Sequence, residues 1–306
     1  MTLFKRPGFW ISVLFAIVAA VGPWWISAYF LGVLTVAYYF GVFAMSWDLL
    51  FGYAGEVNFG PTALIGLGAY GAAMLNFFYG VSIPVCIIFG AVVAVVGGLL
   101  LAVPALRLTG PYFGVVTLVA VLLLQNVIVI FAKYTGGEIG MTTQSVLSIN
   151  TAVNYEYALG FLVICTIILY GLSRSPLGLI LQSIGQDATE ASALGFNVTK
   201  HKIAAFCVSA LFSGLAGGMM VFYMGTASVG TVISISIDVQ VIIMAVLGGR
   251  RTIVGSVLGA VFIIMANELL RPLGQLNTFV VSGIALAVIL FFPDGFLGAI
   301  LHRRSA

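Results

Sequence analysis

The chain has 306 residues, of which 62% are hydrophobic and only 7% charged, with a formal net charge of +3. Soluble domains carry about 25% charged residues, so the composition excludes an ordinary soluble domain and describes an integral membrane protein. The stretches 91–103 and 115–130 are apolar on every face, which indicates helices rather than the alternating ten-residue strands of a membrane barrel.

In chain order, apolar runs of sufficient length predict about ten membrane spans at roughly 9–25, 26–50, 60–78, 83–103, 112–131, 157–172, 203–224, 237–247, 253–270 and 278–292. Gly22 and Pro23 interrupt the first, and 237–247 is too short to cross alone. The start resembles a signal peptide, with Lys5 and Arg6 before an apolar stretch. It is read as a first span because a second apolar run follows at once. With a cytoplasmic amino terminus, ten of the twelve Lys and Arg residues fall inside and only Lys133 and Arg271 outside, the bias expected of cytoplasmic loops. Both termini are then cytoplasmic, and Trp24 and Trp25 mark the outer interface.

Two connections are long. Residues 133–156 are polar and read as an outer loop, and 173–202 would lie inside. Within the latter, "SIGQDATEASALGFNVTKHK" has the composition of a short helix closed by Gly195. Asp187 and Glu190 are three apart and so share one face, beside a small apolar face of Ala191 and Leu194. Such a helix suits docking; a solvated loop that only fixes topology fits the same residues. Lys200, His201 and Lys202 would hold the next span at the anionic inner surface of the lipid.

"GYAGEVNFGPTALIGLGAYG", residues 52–71, places Gly52, Gly55, Gly60 and Pro61 where they interrupt a helix. Such breaks at membrane depth occur where the freed backbone is buried in protein or lines a wet cavity. Beyond Pro61 the glycines and alanines read as a packing surface. Glu56 and Asn58 are candidates for a translocation path, with Gly55 and Gly60; Glu56 is equally an ordinary solvated carboxylate if the break lies at the cytoplasmic interface. A second polar interruption, residues 225–240, contains Asp238 and Gln240, and paired interruptions in two halves point to a path between them.

Cys86, Cys165 and Cys207 sit in apolar runs and predict neither a disulfide nor a metal site. His201 and His302 lack a partner at ligand spacing. Gly248 and Gly249 precede Arg250 and Arg251, but no G-x-x-x-x-G-K-[ST] loop exists, so the chain is not an ATPase by that route. No hydrolytic triad stands out. Neither an enzyme nor a nucleic-acid partner is expected.

Six motifs occur in order: "GYAGEVNFGPTALIGLGAYGAAML" from Gly52, "LRLTGPYFGVVTL" from Leu106, "YTGGEIGMT" from Tyr134, "SPLGLILQSIGQDATEASALGFNVTKHKIAAFCVSALFSGLAGG" from Ser175, "VLGGRRTIVGSVLGA" from Val246 and "FFPDGFLG" from Phe291. In this register the chain resembles the permease subunits of branched-chain amino acid ABC importers, of the LivM type in the LivH and LivM pair. The resemblance implies an all-α polytopic permease like those of type II importers, a single domain over 1–306 with broken or re-entrant segments. It implies a bacterial inner-membrane location, a second permease, two ATPase subunits that bind ATP and Mg, and a periplasmic binding protein. The segment about 174–202 would be a coupling element seated on an ATPase, and residues 52–60 would line the route.

Three of these motifs depart from the family pattern, at five positions. Glu56, Asn58 and Pro61 replace the usual Gln, Ser and His; Ser192 stands where an acid usually precedes Ala-Leu-Gly; and Arg251 replaces a glycine. The first leaves the solute open between branched-chain amino acids and urea, amides or another small solute. A secondary transporter driven by an ion gradient, with Glu56 or Asp238 as the coupling carboxylate, is the reading from another class.

Overall fold

A computed structural model describes residues 22–108 and 110–274, with positions 276, 280, 283, 286 and 295. The expected spans 9–25 and 278–292 therefore lie wholly or mostly outside the described residues. So do Lys5, Arg6, His302, Arg303 and Arg304, and most of "FFPDGFLG".

The described elements follow in order. Helix α1 (Ala28–Asp48) runs into a single π turn (Leu49–Tyr53); then come α2 (Pro61–Tyr79), α3 (Ile83–Ala105), α4 (Pro111–Ile130), the short α5 (Ala132–Thr135) and β1 (Met141–Thr142). The second half holds α6 (Thr151–Arg174), α7 (Pro176–Gln186), α8 (Ala188–Ala193), α9 (Val198–Met224), β2 (Thr226–Ala227), α10 (Val229–Val232), α11 (Ile235–Gly248) and α12 (Ile253–Leu269). Seven segments are long and apolar enough to cross a membrane, with α12 a shorter eighth. The eight match the second to ninth expected spans. The chain is thus an all-α multi-pass membrane protein.

Local chemistry sets most boundaries. Proline opens α2, α3, α4 and α7 in the first two positions, where its missing N–H is no loss and its fixed φ suits a helix. Helix α6 begins at Thr151, six residues before the expected 157, because the Asn150 side chain accepts the Ala152 N–H at 2.9 Å. Ser234 likewise caps α11 through Ile237 N–H at 3.2 Å. Asp238 and Gln240, expected within an interruption, therefore stand in its opening turns. With α10, that span reaches 20 residues, which corrects the isolated 237–247.

Packing grades from centre to rim. Every residue of α1 from Ala37 to Asp48 is buried, and in α9 72% of the most apolar stretch is enclosed, against 28% in α4. The centre closes through small residues. A Cβ on Gly68 of α2 would lie 2.4 Å from the Gly214 Cα of α9, one on Gly90 of α3 2.3 Å from the Gly68 carbonyl, and one on Gly214 2.5 Å from the Ala94 Cβ of α3. Hydrocarbon lipid drives no hydrophobic association, so such close approach supplies the van der Waals attraction that holds helices together in a membrane.

Arg107, Arg174, Lys202, Arg250 and Arg251 mark one end of the bundle, the basic face. At the opposite end the long loop is pinned: β1 pairs antiparallel with β2, Gln144 donates to Asn76 Oδ1 and the Phe77 carbonyl, both at 2.8 Å, and Leu147 N–H donates to the Phe222 carbonyl at 3.1 Å.

Gly214→Val should overpack this centre at a cost of about 1 to 3 kcal/mol or more, seen as a lower thermal midpoint of the purified chain. Gly160→Ala, on α6 with open space at its Cβ, should change stability by less than about 1 kcal/mol; equal behaviour of the two would contradict the packing described.

Candidate functional site

The site is built on residues 52–62, where helix gives way to extended backbone between α1 and α2. Its depth follows from its neighbours. A Cβ on Gly60 would lie 2.1 Å from the Thr117 carbonyl of α4, six residues and so about 9 Å inside the basic end of that helix. Thr62 N–H donates to Asp238 Oδ1 at 2.7 Å, ten residues and so about 15 Å inside the end of α11. Helix α2 therefore starts inside the bundle, and the chain reaches it from the basic face through a non-helical stretch.

Each expected path residue takes a definite place in this climb. Gly55 has φ +76, and a Cβ on it would lie 3.0 Å from the Gly185 Cα of α7; a Cβ on Gly185 would in turn lie 2.4 Å from the Tyr53 carbonyl. Neither position tolerates a side chain, so two backbones touch there. Glu56 forms an ion pair with Lys202 in the opening turns of α9, both side chains mostly enclosed at 12% and 19% exposure. Asn58 is buried; its Oδ1 accepts the Gly60 N–H at 2.9 Å, and its carbonyl accepts the Trp47 indole N–H at 2.6 Å. It is a turn former.

Asp238 is 1% exposed. One oxygen caps α2 across 176 residues of sequence, where the positive end of the helix stabilises the carboxylate, and the other has no hydrogen-bond partner. The structure thus brings the two interruptions together through Asp238 and Thr62. Gln240, two residues on, stands about 200° further round α11, half-buried and away from that joint.

One residue passed unremarked in the sequence. Asp48, 1% exposed at the end of α1, accepts the Arg251 N–H at 3.1 Å. Arg251 donates through Nε to the Gly52 carbonyl at 2.9 Å, and its own carbonyl accepts the Tyr53 hydroxyl at 2.9 Å. The Arg250 guanidinium lies 4.8 Å from the Phe51 ring. The signal was an acid near the end of an apolar run, and its partner lies 203 residues away.

On the basic face, the segment 174–202 contains two helices rather than one. Asp187, extended at φ −148, separates them, and its carboxylate accepts the Thr189 and Glu190 N–H groups at 2.7 and 3.0 Å. The expectation that Asp187 and Glu190 share a helix face is corrected: Asp187 is the cap, because its side chain supplies the acceptor that the first free N–H groups need. These donors hold its carboxyl below the usual range. Ala191 is buried, whereas Leu194 is 74% exposed, so the expected apolar face is split. Gly195, at φ +91, ends the helix as expected, with Phe196 N–H returning to the Ala191 carbonyl at 3.1 Å.

An apolar cleft of about 990 Å³ opens between α2, α3 and α4 in the half away from the break, beside Tyr70, Met74, Phe89 and Leu124. It offers a charged solute no partner and is not assigned to the route.

Residues 29–293 match the family model described as branched-chain amino acid transport system / permease component. The chain belongs to this family. It is similar to the high-affinity branched-chain amino acid transport permease LivM of Escherichia coli, 25% identical over 92% of this chain and 73% of the relative, and equally to LivM of Salmonella typhimurium. The ribose import permease RbsC of Haemophilus influenzae is 22% identical over 76% of this chain and 74% of its own. No solved structure matches the chain significantly. As a LivM-type permease it is a transporter subunit and not itself an enzyme. Arg251 is the one non-glycine with positive φ, +63, among the described residues, a conformation that favours glycine.

Two outcomes are expected. Because the Asp187 carboxyl is lowered, its cap is complete above the ordinary carboxylate pKa of about 4 and is lost as pH falls through the lower folded value. The protection of the Thr189 and Glu190 amides, relative to their intrinsic exchange at each pH, should therefore fall at low pH and in Asp187→Ala, but little in Asp187→Asn, whose side chain still caps.

Proposed function

We propose that this permease is one half of the translocation route of an ATP-driven bacterial importer for branched-chain or related amino acids, set in the inner membrane with the basic face and both termini cytoplasmic. A second, LivH-like permease supplies the other half, a periplasmic binding protein delivers solute, and two ATPase subunits bind ATP and Mg and drive the cycle. The chain itself holds no cofactor.

The observation that carries this reading is the backbone contact between Gly55 and Gly185. It joins a helix pair on the basic face to the extended segment inside the membrane, the connection an ATP-driven route requires. Glu190 and Leu194 are exposed on the same pair, and they form the face that seats on an ATPase. The basic residues at this end support its cytoplasmic placement. The LivM relatives support branched-chain amino acids as solute, and the departures at Glu56, Asn58 and Pro61 make a related small solute the alternative.

Reconstitution with the second permease, the ATPases and the binding protein should give ATP-dependent uptake of labelled leucine, with hydrolysis stimulated by the loaded binding protein. Absence of both would overturn the importer reading, and uptake of urea or an amide instead of leucine would change only the solute. Within that system Leu194→Glu should lower uptake at least tenfold while the chain still inserts and purifies normally.

A further inference from the structure

The extended segment touches the basic-face helices at two places of opposite mechanical character. At Gly55 the contact with Gly185 is backbone on backbone, with a Gly185 Cβ only 2.4 Å from the Tyr53 carbonyl. It resists approach, because close-packed atoms have no room to yield. One residue on, Glu56 is bound to Lys202 by an ion pair, which resists separation. The α7–α8 pair leads directly into α9, the helix that carries Lys202.

Lys202 is poorly placed for its own helix. It lies in the opening turns of α9, next to Lys200 and His201, where the positive end of the helix disfavours a cation. Asn197 caps the helix instead, accepting the Lys200 N–H at 3.0 Å. Lys200 is exposed, whereas Lys202 is turned inward onto Glu56. A mostly enclosed charge that loses its partner is left uncompensated, so each member holds the other in position.

We propose that Lys202 and Glu56 are positioning residues for transport: the ion pair is the tension member, and the Gly55–Gly185 contact the compression member, of a two-way joint through which movement of the basic-face helices displaces the segment before α2. This rests on the importer reading above and names the residues that transmit force within it. Loss of the pair leaves the push intact and removes the pull, so the segment follows the helices in one direction only. Hydrolysis then continues while solute movement falls.

The test uses the complete reconstituted importer and measures solute moved per ATP hydrolysed. Glu56→Gln and Lys202→Met should each lower that ratio about tenfold, with hydrolysis rates within twofold of the parent. The charge-swapped double variant, Glu56→Lys with Lys202→Glu, should recover at least half of the parental ratio. A parental ratio in both single variants, or a swap no better than either, overturns the joint. Should a single variant fail to assemble, Lys202→Arg, which keeps the charge, must transport normally and Gly185→Ala must lower the ratio; failure of either outcome also overturns it. If the parent complex itself moves no solute, the importer reading fails instead.

Discussion

Inside hydrocarbon no backbone N–H or carbonyl is left without a partner, and residues 54–60 are where this chain gives up its helix inside the bundle. Four donors along and just beyond this stretch have separate acceptors. Glu56 N–H returns to the Leu50 carbonyl, Phe59 N–H reaches the Thr117 hydroxyl of α4, Gly60 N–H takes the Asn58 side chain, and Thr62 N–H takes Asp238 of α11. Pro61 has no N–H to satisfy. Satisfying the break thus fixes where α4 and α11 stand relative to α1 and α2, and local backbone chemistry becomes tertiary arrangement.

The same economy of side chains sets the stiffness of the site. Gly55 against Gly185 and Gly60 against Thr117 bring backbones together with no flexible atoms between them, so a displacement on one side is felt on the other. By contrast α4 lies at the rim, its outer face of Val115, Val119 and Leu123 exposed. Close backbone contact lies between the basic face and the break, and exposed apolar side chains lie at the periphery. That is the distribution expected of a bundle whose moving part is internal and whose outer surface meets lipid or another subunit.

Much of this was legible in the sequence and some was not, for a consistent reason. Apolar runs predicted the spans, Gly195 the helix end, and Gly52 to Pro61 the break, because each depends on residues adjacent in the chain. Asp187 was misread as a helical face because three-residue spacing with Glu190 also fits a cap followed by its third helical position. Asn150 and Ser234 lengthened α6 and α11 for the same kind of reason: a cap is one residue, weaker as a signal than a run. The pairings of Glu56 with Lys202, Thr62 with Asp238 and Asp48 with Arg251 span 146, 176 and 203 residues. Periodicity records which face a helix buries, not what that face meets.

Those three pairings share a direction. The break belongs to the first half of the chain, yet Gly185, Lys202, Asp238 and Arg251, which touch its length from Gly52 to Thr62, all belong to the second. From its own half, α1 and α4 hold it through Trp47 and Thr117. Arg251 shows how strongly this clasp is selected by the structure: its backbone adopts a conformation that an arginine rarely takes, at a cost of about 1 kcal/mol or more, and three hydrogen bonds to Asp48, Gly52 and Tyr53 offset it. The buried Asp48 side chain in turn meets the Arg251 N–H through one oxygen, while its other oxygen has no hydrogen-bond partner. Rearrangement of the second half against the first therefore bears on residues 52–62, one of the places where the two halves meet, beside the close packing of Gly68, Ala94 and Gly214 at the centre.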